Sequence, residues 1–190
     1  GLHPWYIDGN WQTEMQRVQQ WSMHNQVLAI GECGLDKLCN TDFILQQQVF
    51  TAQIQWANTI GKPLVIHCVR AWEEVFHILD KQHNTVPVIF HGFNKNKSLA
   101  AKIIRKGHYL SFGKSLHQPQ IQDILRHLPT DKFFLETDDA AITIQSVYEI
   151  AAYALDIDMN SLSLRLQKNA VSVFGADALN ALSTNVWFNL

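Results

Sequence analysis

Four short apolar runs in this chain each lead into a side chain that can hold a metal ion. Val27-Leu28-Ala29-Ile30 runs into Glu32, Leu64-Val65-Ile66 into His67, Val88-Ile89-Phe90 into His91, and Phe133-Phe134-Leu135 into Asp138. Runs of this length and composition, bounded by turn residues, predict buried strands. The pattern therefore predicts one Glu, two His and one Asp at four strand ends. Helical patterns lie between the runs, and that alternation predicts βαβ units on a parallel sheet. Two architectures use such units. An open doubly wound sheet gathers polar groups at a switch point between neighbouring strands, whereas a (β/α)8 TIM-type barrel brings the carboxyl ends of many strands to one face. Ligand-type residues on four strands favour the barrel. A dinucleotide-binding fold is excluded because no GxGxxG or Walker-type glycine loop follows any strand.

The stretch Ala29-Ile30-Gly31-Glu32-Cys33-Gly34-Leu35-Asp36 is the most specific of the four. Its carboxylate is held between two glycines, where the backbone can turn sharply and come close to another group. A bland alternative is that Glu32 only caps neighbouring backbone groups; Asp36 is expected to do that, bracing the turn. Taken singly, His67 or His91 is more often a hydrogen-bonded structural histidine than a ligand. At matching strand ends with Glu32 and Asp138, they point to a metal cluster.

Elsewhere, Gly1-Leu2-His3-Pro4-Trp5-Tyr6 reads as the tail of a strand breaking into a loop, because Pro4 removes a ladder donor and biases His3 away from helix. Met15, Val18 and Trp21 fall at helical spacing. Asp42 is a candidate N-cap for a helix with Leu45, Val49, Ala52 and Trp56 on one face, closed by Gly61. Trp72, Val75, Phe76 and Leu79 predict the next helix, and Ser98 the cap of one carrying Leu99, Ile103 and Ile104. Tyr109 to Phe112 predicts a further strand, and Pro119 the first turn of a helix bearing Ile121, Ile124, Leu125 and Leu128. Two more helical patterns cover 144–155 and 162–173, Gly175 stops the second, and 176–190, with Trp187 and Phe188, is expected to pack as a tail.

At 190 residues and 47% hydrophobic content, the chain can bury one sizeable core, so a single domain over 1–190 is expected. A net charge of −2 gives no electrostatic footprint for gripping nucleic acid by phosphate neutralisation alone. Any phosphate binding must be local. Cys33, Cys39 and Cys68 lack CxxC spacing and read as reduced thiols, which leans cytoplasmic. No apolar run approaches the roughly 20 residues that span a bilayer. Nothing in the sequence calls for an obligate protein partner. Lys95 and Lys97 could meet phosphate, although a solvated loop is the commoner fate. Trp5, Trp11 and Trp72 could offer stacking platforms for bases, although packing is the commoner fate.

These residues resemble a known family. Gly1-Leu2-His3-Pro4, the stretch from Ala29 to Asp36, Ile66-His67-Cys68, Phe90-His91-Gly92-Phe93, Tyr109-Leu110-Ser111-Phe112-Gly113 and Leu135-Glu136-Thr137-Asp138 are similar, in order, to the signatures of TatD-related metal-dependent deoxyribonucleases. Asn169 to Gly175 resembles that family's terminal helix. The resemblance implies an amidohydrolase-type barrel in which Glu32 bridges two divalent metals, His67 and His91 hold one of them, and Asp138 binds the other and handles the proton of the attacking water. The family's first strand normally supplies a His-x-His pair. This sequence has none and begins without Met partway through a family motif, so an N-terminal segment bearing that pair is expected to be absent from it, in preference to loss of the pair by divergence. Two further departures stand out. Val69 occupies the place where the family usually has Arg, with Arg70 one residue later, and Asp139-Ala140-Ala141 replaces a longer Pro-containing loop.

Carboxylate oxygens and imidazole nitrogens suit one or two divalent ions such as Zn, Mn, Fe or Ni, while Mg prefers fewer imidazoles. Such an ion lowers the pKa of water and polarises a scissile group. The expectation is a metal-dependent hydrolase cleaving DNA or another phosphoester, with Asp138 and Glu32 catalytic, Glu32, His67, His91 and Asp138 as metal ligands, and His3 and Arg70 toward substrate. One alternative is an amidohydrolase-type enzyme for a small ester, lactone or phosphoester. The other is a catalytically degenerate metal-binding barrel.

Overall fold

A computed structural model describes residues 1–177 and residue 180, which divide into two compact units, one from Gly1 to Val88 joined by the chain from Phe174, the other from Ile89 to Val173. The tail expected to pack through Trp187 and Phe188 falls outside the described residues.

In the first unit, a 3-10 turn over Pro4–Tyr6 precedes helix α1 (Trp11–Ser22), strand β1 (Ile30–Asp36), helix α2 (Phe43–Ile60), strand β2 (Leu64–Val69) and helix α3 (Trp72–Lys81). β1 and β2 are parallel neighbours joined through α2. Helix α2 begins where the sequence predicts, because the Asp42 carboxylate accepts the Leu45 N–H at 2.8 Å; a cap of this kind contributes about 1 kcal/mol. Its inner face buries Val49, Phe50, Ile54 and Ala57 completely. Each of the larger three is worth about 1.5–3 kcal/mol on leaving water.

The strand tail expected at the start is a 3-10 turn instead. Pro4 supplies no N–H, His3 caps the turn, and the Tyr6 N–H closes it on the His3 carbonyl at 3.0 Å. β1 also differs from expectation. It begins at Ile30 rather than Val27 and runs on through Asp36, so Glu32 lies within the strand and not at its end. Likewise His67 lies within β2. The physical reason is that Gly31 and Gly34 serve close approach rather than a turn. A Cβ on Gly34 (φ 137°) would lie 2.0 Å from the His67 carbonyl oxygen, and one on Gly31 would lie 2.6 Å from the Val65 Cβ.

The second unit continues the alternation with β3 (Val88–Phe90), α4 (Lys97–Arg105), β4 (Tyr109–Phe112), a 3-10 turn (Lys114–His117), α5 (Pro119–Arg126), β5 (Phe133–Leu135), α6 (Ile144–Leu155) and α7 (Met159–Phe174). β4 pairs in parallel with β3 on one side and β5 on the other. Within each unit, strands adjacent in sequence are adjacent in space, with no switch point. Phe90, Phe93, Phe112 and Phe133 fill this unit's core. Helix α4 is capped by Asn96, whose Oδ1 accepts the Leu99 N–H at 2.9 Å, and not by Ser98; both types cap well, so the local sequence offered two starts. Asn169 of α7 is buried, and its Nδ2 donates to the carbonyls of Thr130 (3.1 Å) and Phe133 (2.9 Å), tying the helix to β5.

Among the described residues, no helix is long and apolar enough to cross a membrane.

Candidate metal centre

Glu32 owes its position to a break in strand register. Ile30 pairs with Leu64 and Cys33 with Ile66, so three steps along β1 match two along β2. The extra residue forms a bulge at Gly31-Glu32, a device that re-aims a side chain out of the regular alternation. The Gly31–Glu32 peptide bond is cis. Cys33, on the far side of the bulge, is buried completely, and burial pushes its thiol up to about 12, which suits a packing residue and not a metal thiolate.

Ligand atoms of Glu32, His67 and His3 all lie within 4.8 Å of one another. Hydrogen bonding separates their roles. The His67 Nε2 lies 3.1 Å from the Asp36 Oδ2. A carboxylate only accepts, so Nε2 carries the proton and Nδ1 is the acceptor atom that could hold a metal. Carboxylate partners of this kind fix the tautomer of metal-binding histidines. Asp36 is itself held on all sides: its Oδ2 also accepts the Trp5 indole N–H at 2.7 Å, and its Oδ1 accepts the Leu38 N–H at 2.7 Å. Burial works to raise the Asp36 pKa, yet the hydrogen bonds from Trp5, Leu38 and His67 together hold it below the usual carboxylate range. Asp36 thus braces the turn, as expected, and orients His67 as well.

His3 is set up differently. Its Nδ1 accepts the Trp5 backbone N–H at 3.2 Å, so in the neutral ring Nε2 bears the proton, facing the Glu32 Oε2 at 3.4 Å. That geometry makes His3 a hydrogen-bond donor toward Glu32 more than a ligand. The donor set of one half-exposed carboxylate and one oriented imidazole fits a borderline divalent ion.

Two residues missed in the sequence hold this arrangement in place. Gln46 and Gln53 are fully buried on the inner face of α2. Gln46 accepts the Asp36 N–H at 2.8 Å and donates to the carbonyls of Asp36 (3.0 Å) and Thr41 (2.9 Å). Gln53 accepts the Leu2 N–H at 2.7 Å and donates to the Leu2 carbonyl at 3.1 Å. The signal was present: two glutamines seven residues apart, interrupting an otherwise apolar helical face.

Arg70, just past β2, is exposed with a positive φ of 53°. In the second unit, His91 follows β3 directly, and its Nδ1 lies 3.7 Å from the Glu136 Oε1, which accepts the Gly92 N–H at 2.7 Å. Glu136, also not singled out from sequence, therefore steadies the turn that carries His91. Asp138 lies three residues beyond β5 with φ 50°. Among the described residues of this unit, no three ligand-type side chains come together as His3, Glu32 and His67 do. Lys97 is paired with Asp123, and Lys95 is exposed.

Residues 1–175 match the family model described as TatD related DNase. An uncharacterized metal-dependent hydrolase of Buchnera aphidicola subsp. Baizongia pistaciae is 30% identical over 143 residues, covering 73% of this chain and 54% of that protein. A protein named 3'-5' ssDNA/RNA exonuclease TatD from Enterobacter lignolyticus is 29% identical over 147 residues, covering 73% of this chain and 55% of its own length. The chain thus spans about half the length of such relatives. The crystal structure of YJJV, a TatD homologue from Escherichia coli K12, superposes with a TM-score of 0.81 at 21% identity, over 93% of this chain and 75% of that one. The fold is therefore α/β with parallel strands and helices, consistent with part of a TIM-type barrel.

Proposed function

Because the chain belongs to the TatD-related DNase family, we propose that it is part of a metal-dependent hydrolase cutting phosphodiester bonds in DNA. One observation carries the proposal: Glu32 and His67 converge, and Asp36 holds the His67 ring so that Nδ1 is the accepting atom. Glu32 and His67 are the proposed ligands from the first unit. His91 and Asp138 are proposed from the second on the strength of their motifs. A divalent ion held by Glu32 and His67 would polarise the scissile phosphoryl group and make water easier to deprotonate.

The side chains have separate tasks. Asp138 accepts the proton from attacking water at a carboxylate oxygen. His3, with its one proton on Nε2, fixes the Glu32 carboxylate, or, where that carboxylate turns to a metal, donates to a phosphate oxygen instead. Arg70 supplies positive charge toward the substrate backbone. The short path from Asp138 to the start of α6 at Ile144 favours, as a second possibility, a smaller ester substrate, since it leaves little loop to cover a long polymer.

Single-stranded DNA and a generic phosphodiester are assayed after metal removal and readdition, with Glu32→Gln, His67→Ala and Asp138→Asn alongside. The proposal expects metal-dependent DNA cleavage that each substitution abolishes while circular dichroism stays native. Hydrolysis of the small diester alone would move the substrate to a small ester. Undiminished turnover by Asp138→Asn would remove that residue from the mechanism.

A further inference from the structure

The proposed nuclease site is flanked by two aromatic rings that the hydrolytic roles do not use. The 3-10 turn after His3 presents Trp5 and Tyr6 with 53% and 80% of their surface exposed. Their ring centroids lie 6.5 Å apart at an interplanar angle of 72°, so the two rings offer separate faces. Both stand against the cluster: the Tyr6 ring is 5.7 Å from that of His3, and the Trp5 ring is 5.7 Å from that of His67. On the adjoining turn, whose Cys39 thiol reaches the Pro4 carbonyl, Leu38 is also largely exposed.

Exposed aromatics on a mobile loop would mean little. This turn is pinned along its length. The Gly1 nitrogen donates to the Gly31 carbonyl at 2.8 Å, Gln53 grips both backbone groups of Leu2, and the Trp5 indole N–H is anchored on Asp36. The Trp5 ring, anchored through its N–H, loses little conformational freedom on contact, and Tyr6 is carried on the same pinned turn, its backbone N–H closed on the His3 carbonyl. A flat, aromatic group lying next to the group being hydrolysed is the chemistry these rings suit.

We propose that Tyr6, with the outer face of Trp5 beside it, forms a stacking subsite for an unpaired nucleobase next to the scissile phosphodiester. The inference rests on the hydrolase function proposed above and deepens it by naming what selects the substrate. A base inside a duplex has both faces covered by its neighbours, so a platform of this kind favours single-stranded nucleic acid. Stacking tolerates any base, because each has a π-face. It also supplies affinity that the chain's charge of −2 cannot.

The test compares a fluorescent oligothymidylate with an abasic oligomer of the same length and charge. Anisotropy in the presence of chelator gives binding, and kcat/KM with Mn²⁺ gives turnover, for the full chain as wild type, Tyr6→Ala and Tyr6→Phe. The wild type is expected to prefer the base-bearing oligomer by about tenfold or more. Tyr6→Ala is expected to lose most of that preference and Tyr6→Phe to keep it, since the ring and not the hydroxyl stacks. A wild type that cleaves both oligomers equally, or a Tyr6→Ala variant that still discriminates as the wild type does, overturns the stacking subsite and leaves the hydrolase proposal standing. A wild type that neither binds nor cleaves either oligomer overturns both.

Discussion

Glu32 and His67 lie within paired strands, whereas His91 and Asp138 lie on the segments that follow theirs. In the first unit, two backbones in van der Waals contact fix the side chains, two buried glutamines fix the backbones, and a buried carboxylate fixes the imidazole. In the second, His91 has Glu136 beside it at 3.7 Å, and Asp138 sits on a short connection to α6. Groups on strands are positioned more exactingly than groups on loops. The contrast is one of bracing: Glu32 and His67 are held from within a pair of strands, whereas His91 and Asp138 depend on the segments that carry them.

The largest expected effect tests how rigid the first unit is. Gly34→Ala puts a methyl 2.0 Å from the His67 carbonyl oxygen at a φ of 137°, so β1 and β2 must separate. We expect a loss of about 4 kcal/mol or more. Gly92→Ala in the second unit meets nothing nearer than the Glu136 Oε1 at 3.8 Å, and its φ of 59° strains alanine by about 1–2 kcal/mol. Urea unfolding of both variants checks the difference, and equal losses would end the contrast. Next in size, Gln46→Leu leaves the Asp36 N–H and the carbonyls of Asp36 and Thr41 without their buried partner. It should cost about 3 kcal/mol. Glu136→Gln, which can still accept the Gly92 N–H, should cost under about 1 kcal/mol. The same unfolding curves decide whether the polar bracing is as unequal as the geometry makes it.

These braces mark the limit of what was legible in the sequence. Strand and helix order could be read from apolar periodicity, caps such as Asp42 from residue type, and the ligand-type residues from their place after apolar runs. The bulge at Gly31-Glu32 could not, because it is a property of two strands in register, and one strand's sequence does not contain its partner's spacing. Of the sharp turn and close approach expected of the glycines beside Glu32, only the close approach is found, and its partners are far along the chain: Val65 for Gly31 and the His67 backbone, 33 residues on, for Gly34. Gln46 and Gln53 escaped notice for a related reason. A glutamine on a helix is ordinarily exposed, and only the backbone groups of Leu2 and Asp36 explain why these two are inside.

Asp36→Asn isolates the orientation of His67 from its presence. An amide can donate where the carboxylate only accepted, so the ring can take the other tautomer and turn its N–H toward the metal position. Metal affinity, measured by competition with a chelator, is expected to fall about 10- to 100-fold. Glu136→Gln is expected to change it less than about threefold, and an equal effect of the two would show that the second unit's histidine depends on its carboxylate just as strongly. The metal-free chain supplies a second readout. With Asp36 held below the ordinary carboxylate value of about 3.9, its contribution to stability is complete above that pH and is lost as pH falls through the lower folded value. Asp36→Asn should flatten that acid limb of the stability curve.

The smallest effect compares two residues with the same backbone conformation, one in each unit. Arg70 has φ 53° and Asp138 φ 50°, each just beyond a strand. Aspartate tolerates this region because its short carboxylate can bond locally, whereas arginine gains nothing from it. Arg70→Gly should therefore stabilise the chain by up to about 1 kcal/mol, and Asp138→Gly by a few tenths at most. Thermal unfolding reads both. If the guanidinium meets substrate phosphate, the more stable Arg70→Gly chain will be slower on DNA, with KM raised more than kcat is lowered, so strain at position 70 is kept for binding. If Arg70→Gly is more stable and equally fast, the displacement of this arginine by one place from the family's usual position has cost it that role, and positive charge toward the substrate must come from elsewhere.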